Sequence, residues 1–113
     1  MPQHESFKYL MDISISIERI EVFCAELLDF EQFAADLKSR LAIERLLEII
    51  GEATNQLLKI SPDTPISNAR KIIGLRNRIT HAYDDIDEVI LWEVVTEYLP
   101  ILKAEVQALL STD

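Results

Sequence analysis

The chain lacks the parts from which several common sites are built. Its single cysteine, Cys24, excludes a disulfide within the chain, and no cluster has the spacing of zinc ligands. It has no glycine-rich phosphate loop and no serine–histidine–aspartate set. No apolar run approaches the roughly 18 residues of a membrane span. The start shows no basic segment followed by an apolar one, so no secretory leader is expected. Together these absences set the expectation of a soluble protein in a reducing, cytoplasmic setting, with no metal and no cofactor.

Positive charge is also scarce. Eleven Lys and Arg stand against 20 Asp and Glu, a net charge of −9. Such a balance favours solubility and argues against general affinity for nucleic acid, which needs a basic face. Any nucleic-acid contact must therefore be local. Two glycines and four prolines leave little punctuation and favour helices. What is plentiful is apolar material, 49% of the 113 residues, with 27% charged. That composition is globular, and the length fits one domain spanning 1–113. A domain of this size buries roughly two thirds of the surface its unfolded chain exposes.

The apolar positions recur at helical spacing. Phe7, Leu10, Ile13, Ile17, Ile20, Cys24 and Leu27 mark one stripe over about 6–28. Phe33, Leu37, Leu41, Leu46, Ile50, Ala53 and Leu57 mark a second helix over about 30–59, widened by Ile43, Leu47, Ile49 and Leu58. So apolar a helix is expected at the centre of a bundle or under a second subunit. SPDTP (61–65) breaks the pattern. Ser67 can cap a third helix running to about Ile79. A fourth can start at Asp85 or Asp87, and Asp85 with Glu88 has capping-box spacing. It carries Leu91, Val94, Val95, Tyr98, Leu102, Val106 and Leu109, and Pro100 should kink or split it. The fold class is all-α, a four- to five-helix bundle. Gly51 stands inside a helix at a cost of about 1 kcal/mol against alanine, which points to close helix approach; Gly74 raises the same question. Trp92 and Tyr98 read as core or interface residues, and Cys24 as a small core residue.

The dense basic stretch is Arg70, Lys71, Arg76, Arg78 and His81, followed at once by Asp84, Asp85, Asp87 and Glu88. Arg76 offers a planar fork of donors suited to phosphate oxygens. His81 has a reference pKa near 6.5 and can take or give a proton near neutrality. RNA carries its own nucleophile, the 2′-hydroxyl. Its cleavage needs a base, an acid and positive charge on the phosphorane, which an arginine and a histidine can supply without a metal. On a continuous helix Arg76 and His81 would point about 140° apart. If the helix stops near Ile79, the histidine can turn back toward the arginine. Acid and base on opposite sides of a phosphate are easier to supply from two copies across a twofold axis. By chemistry alone the pair favours a surface capping or salt-bridge role. Arg78 either joins the phosphate site or pairs outward with Asp84 or Asp85. Arg70 and Lys71 read as solvated helix charges.

The stretch R-N-R-I-T-H-A-Y, Arg76 to Tyr83, resembles the R-x-x-x-x-H-x-Y motif of the HepT-like toxins in the HEPN superfamily. YLMDISISIERIE (9–21), AIERLLEIIGEA (42–53), DDID (84–87) and LWEVVTEYLPIL (91–102) are similar to the corresponding family segments, in order and over nearly the whole chain. The resemblance implies a HEPN-type bundle that forms a homodimer, with the two motifs meeting in a cleft at the interface. It implies a metal-independent endoribonuclease toxin of a type VII-like HepT/MNT pair. Arg76 would bind the scissile phosphate, His81 would act as base or acid, and Asn77 would position substrate or histidine. Outside the roles the resemblance assigns, Arg78 stays a candidate RNA contact, with the outward salt bridge the favoured reading. The partner would be an MNT-type minimal nucleotidyltransferase, which silences such toxins by adenylylating the motif tyrosine, here Tyr83. The rival reading is a non-catalytic module that docks that nucleotidyltransferase. A helical bundle with no site is the third.

Overall fold

The computed structural model describes residues 4–81 and 86–111. Every regular element among them is helical: α1 (His4–Cys24), α2 (Phe30–Ala35), α3 (Leu37–Ile60), α4 (Ala69–His81), α5 (Glu88–Glu93) and α6 (Leu99–Leu110). A π-helical turn, Val94–Tyr98, joins α5 to α6 without a break, so the described residues form five helical rods. None is long and apolar enough to cross a membrane.

α1 buries its expected stripe through Leu10, Ile13, Ile17 and Ile20. Phe7 departs from it and is 42% exposed, while its neighbour Ser6 is buried. Here α1 meets the end of α3, where Ser61 brings its hydroxyl within 3.5 Å of that of Ser6. A small polar group fits that junction and a phenyl ring does not.

The single second helix of the sequence reading is in fact two. Asp36 ends α2, its amide bonding back to the Phe33 carbonyl at 3.2 Å, and starts α3. Its carboxylate accepts the Ser39 N–H at 3.0 Å and the Ser39 hydroxyl at 2.9 Å. Those two bonds hold the carboxyl below the usual range. Arg40 Nε donates to the Ala34 carbonyl at 3.1 Å, which satisfies a free acceptor at the end of α2. The break changes the phase of the apolar pattern. Phe33 is fully buried on α2 with its ring 5.0 Å from that of Trp92, whereas Leu37 and Leu41 are exposed. Asp29 caps α2 by accepting the Gln32 N–H at 2.9 Å, and the Gln32 side chain returns the bond to Leu28 N–H.

α4 begins at Ala69, two residues beyond the expected cap. Ser67 lies upstream of it and gives its amide to the Glu105 carboxylate at 3.0 Å instead. Asp87 caps α5 as expected, accepting the Val89 N–H at 2.8 Å. Asp85 and its pairing with Glu88 lie outside the described residues. Pro100 sits in the first turn of α6, directly after the π turn. Proline has no N–H to donate and its ring crowds the carbonyl four residues back. The backbone widens there, so the Leu99 N–H reaches the Val94 carbonyl five residues earlier.

α3 lies at the centre, packed along α1 on one side and α4 on the other; α6 covers α1, and α2 rests on α5. Their apolar faces meet in one core. α3 thereby presents one edge to α4, and that edge positions the site.

Candidate active site

The approach of α3 to α4 is set by Gly51. A Cβ at this position would lie 2.3 Å from Cβ of Arg76 and 3.1 Å from the Ile72 carbonyl oxygen. Only a residue without a side chain lets the helices come this close. The resulting seam buries most of Arg76, whose side chain is 20% exposed. Its Nη2 lies 3.0 Å from Oε2 of Glu52, the residue after Gly51. Its Nε is buried and has no hydrogen-bond partner among the described residues. Gly74 differs: a Cβ there would meet nothing within 4 Å.

One turn along, the same two helices meet again. The Thr80 hydroxyl donates to Oε2 of Glu48 at 2.9 Å, and Arg45 donates to the other oxygen at 2.9 Å. These bonds, Thr80 first and then Arg45, hold the Glu48 carboxyl below its ordinary range, with the charges of Arg45 and Arg76 adding to them. Glu48 and Glu52 are four apart on α3, as Arg76 and Thr80 are on α4. Two carboxylates thus grip two residues across the seam.

A cleft of about 440 Å³ opens beside this seam. α1 lines it with Lys8, Tyr9 and Asp12, α3 with Arg45, Glu48, Ile49, Glu52 and Ala53, and α4 with Arg76 and Thr80. Its three cations each stand beside a carboxylate: Lys8 with Asp12 at 3.4 Å, Arg45 with Glu48 at 2.9 Å, and Arg76 with Glu52 at 3.0 Å.

The other predicted residues fall elsewhere. α4 does not stop near Ile79 but runs through His81. The histidine therefore stays on the helix, about 140° around the axis from Arg76, and does not turn back. Asn77, Arg78 and His81 are exposed and do not line the cleft. Asn77 and His81, four apart, share one flank of α4. Arg78 borders a shallow groove with Lys71, Gly74 and Glu93. Lys71 is more than a solvated charge: Nζ lies 2.5 Å from the Tyr98 hydroxyl and 4.2 Å from the centre of that ring. Tyr83, Asp84 and Asp85 lie outside the described residues.

The sequence reading missed Glu48 and Glu52. Their signal is present: two acids one turn apart flank a glycine inside a helix, and a charge in that setting meets the neighbour the glycine admits.

The profile of the family described as "Ribonuclease HepT-like" matches residues 13–109. The chain belongs to the HepT-like ribonuclease family. It is 39% identical over 105 residues to "Probable ribonuclease HepT" of Thermococcus cleftensis, covering 89% of this chain and 92% of that protein. It is 33% identical over 111 residues to "Putative RNase MJ1380" of Methanocaldococcus jannaschii, covering 95% and 98%. A third relative, "Putative RNase TTE0752" of Caldanaerobacter subterraneus, is 30% identical over 105 residues and covers 92% and 89%. No solved structure matches the chain.

Proposed function

We propose that this member of the family is a metal-independent endoribonuclease whose site forms between two copies of the chain. The carrying observation is the split of the motif: Arg76 is fixed in the cleft, while His81 stands exposed on another flank of the same helix. Arg76 binds a non-bridging oxygen of the scissile phosphate and stabilises the charge that develops on the phosphorane. His81 takes the proton of the 2′-hydroxyl. The 2′-oxygen bonds to phosphorus, the P–O5′ bond breaks, and the leaving 5′-oxygen takes a proton from an acid. The products are a 2′,3′-cyclic phosphate and a 5′-hydroxyl. One imidazole cannot sit on both sides of the phosphate at once, and a twofold pairing of exposed α4 flanks supplies a second. Asn77 shares the flank of His81 and orients it or the RNA, and Arg78 adds a further RNA contact.

The toxin role belongs to the same proposal. Residues 1–113 act as one cytoplasmic domain, held in check by an MNT-type nucleotidyltransferase. That partner adenylylates Tyr83, two residues from His81, and so adds bulk and negative charge where RNA must enter. The test is cleavage of cellular RNA in chelator by chain expressed without its partner, with intact mass confirming an unmodified Tyr83. Arg76→Ala and His81→Ala should each lower kcat by on the order of a hundredfold or more. A dimeric, unmodified protein that cleaves no RNA points instead to the docking module.

A further inference from the structure

The cleft holds more than the motif arginine. Arg76 reaches it through a seam built by residues the motif does not contain. Gly51 admits its stem, and Glu52 takes Nη2 at 3.0 Å. Glu52 is itself braced, since its second oxygen accepts from Gln56 Nε2 at 3.0 Å. Nε of Arg76 is sealed, so an anion arriving from solvent meets the terminal nitrogens. A guanidinium carries five N–H donors in a fixed plane. One directed at Glu52 sets the plane and leaves others for a phosphate.

We infer that Glu52 is a positioning residue for Arg76, fixing the guanidinium plane toward the cleft so that a phosphodiester meets a preoriented donor fork. Glu48 does the same for the end of α4 by holding Thr80, the residue before His81. The inference rests on the reading of Arg76 as the phosphate ligand. A carboxylate that only competed with phosphate for Arg76 would weaken RNA binding. One that orients Arg76 acts on the rate, because a misplacement of about 1 Å in a reacting group can cost a hundredfold. Glu52 is 51% exposed, so its replacement leaves the core untouched.

The experiment is steady-state cleavage of one RNA by wild type, Glu52→Gln, Glu52→Ala and Arg76→Ala, with side-chain ¹⁵N spectra of the arginines. Glu52→Ala is expected to lower kcat on the order of ten- to a hundredfold with KM within about twofold. Glu52→Gln preserves a carbonyl acceptor and should recover a large part of the loss. The Arg76 Nε–H, buried in the wild type, should exchange faster in Glu52→Ala. If Arg76→Ala is inactive but Glu52→Ala cleaves at the wild-type kcat, or lowers KM, Glu52 is a competitor or a bystander, and the ribonuclease reading stands without it. If Arg76→Ala cleaves normally, the reading of Arg76 fails first. Unchanged exchange at Nε in Glu52→Ala overturns the positioning role whatever the activity.

Discussion

Two concavities of nearly equal volume lie along α1. The cleft between α1, α3 and α4 measures about 440 Å³ and the groove between α1 and the α5–α6 rod about 430 Å³. Their linings have little in common. The groove is made of Ile17, Ile20, Trp92, Val95, Leu99 and Pro100 around Cys24, with an ion pair between Lys103 and Glu21 at 2.7 Å. Burial and the nearby Glu21 push the Cys24 thiol upward, away from the reactive thiolate. The cleft carries three paired cations, the motif arginine among them. Size alone therefore designates neither as a site. The groove is an apolar gap beside the core, bordered by the π turn and Pro100. The cleft is a place where two helices approach so closely that most of a long charged side chain is buried between them.

Substitutions can break that contrast, beginning with the largest effect. Ile20 lines the groove and is 1% exposed. Ile20→Ala should lower the unfolding free energy by about 2–5 kcal/mol. Cleavage per folded molecule should stay as it was. A denaturant titration beside an activity assay reads both, and a drop in kcat would erase the division between the two concavities.

The glycines sharpen the comparison. Gly51→Ala places a methyl group 2.3 Å from Cβ of Arg76, so α3 and α4 must part. Overpacking of this kind costs about 1–3 kcal/mol, and cleavage should fall with it because Arg76 moves. Gly74→Ala meets open space. It should stabilise α4 by up to about 1 kcal/mol and leave the rate alone. Thermal melts and kcat for the two variants should move in opposite senses in stability and differ in activity.

The smallest effect is a pH dependence. The Glu48 carboxyl lies below its ordinary range when folded, through Thr80 and Arg45. A group whose folded pKa is depressed contributes stability above its unfolded pKa and loses it as pH falls through the folded value. Stability should thus decline on acidification, and less steeply in Thr80→Val than in wild type. Urea midpoints across the acidic range compare the two slopes. Equal slopes would remove Thr80 as the cause.

How much of this was legible beforehand varies by element. The stripe Leu10, Ile13, Ile17 and Ile20 and a departure from regular α-helix near Pro100 followed from spacing and from what proline lacks. The break at Asp36 did not, because Phe33, Leu37 and Leu41 keep helical spacing across it. The cue was Asp36 with Ser39 three residues later, the spacing of a helix cap, which the apolar stripe runs across. At the candidate site, Arg76 and His81 were singled out by residue type and by the family resemblance. Their separation around α4 was not, since it depends on where the helix ends.

The sequence by itself determined the helical class, the place of the motif and the family, because periodicity and motif order are properties of residues near one another along the chain. Only the tertiary structure decided that Arg76 leans on Glu52 rather than on His81. That choice depends on which helix lies against α4 and how near it comes. The distance is fixed by Gly51, 25 positions away in sequence and in contact with Arg76 in space.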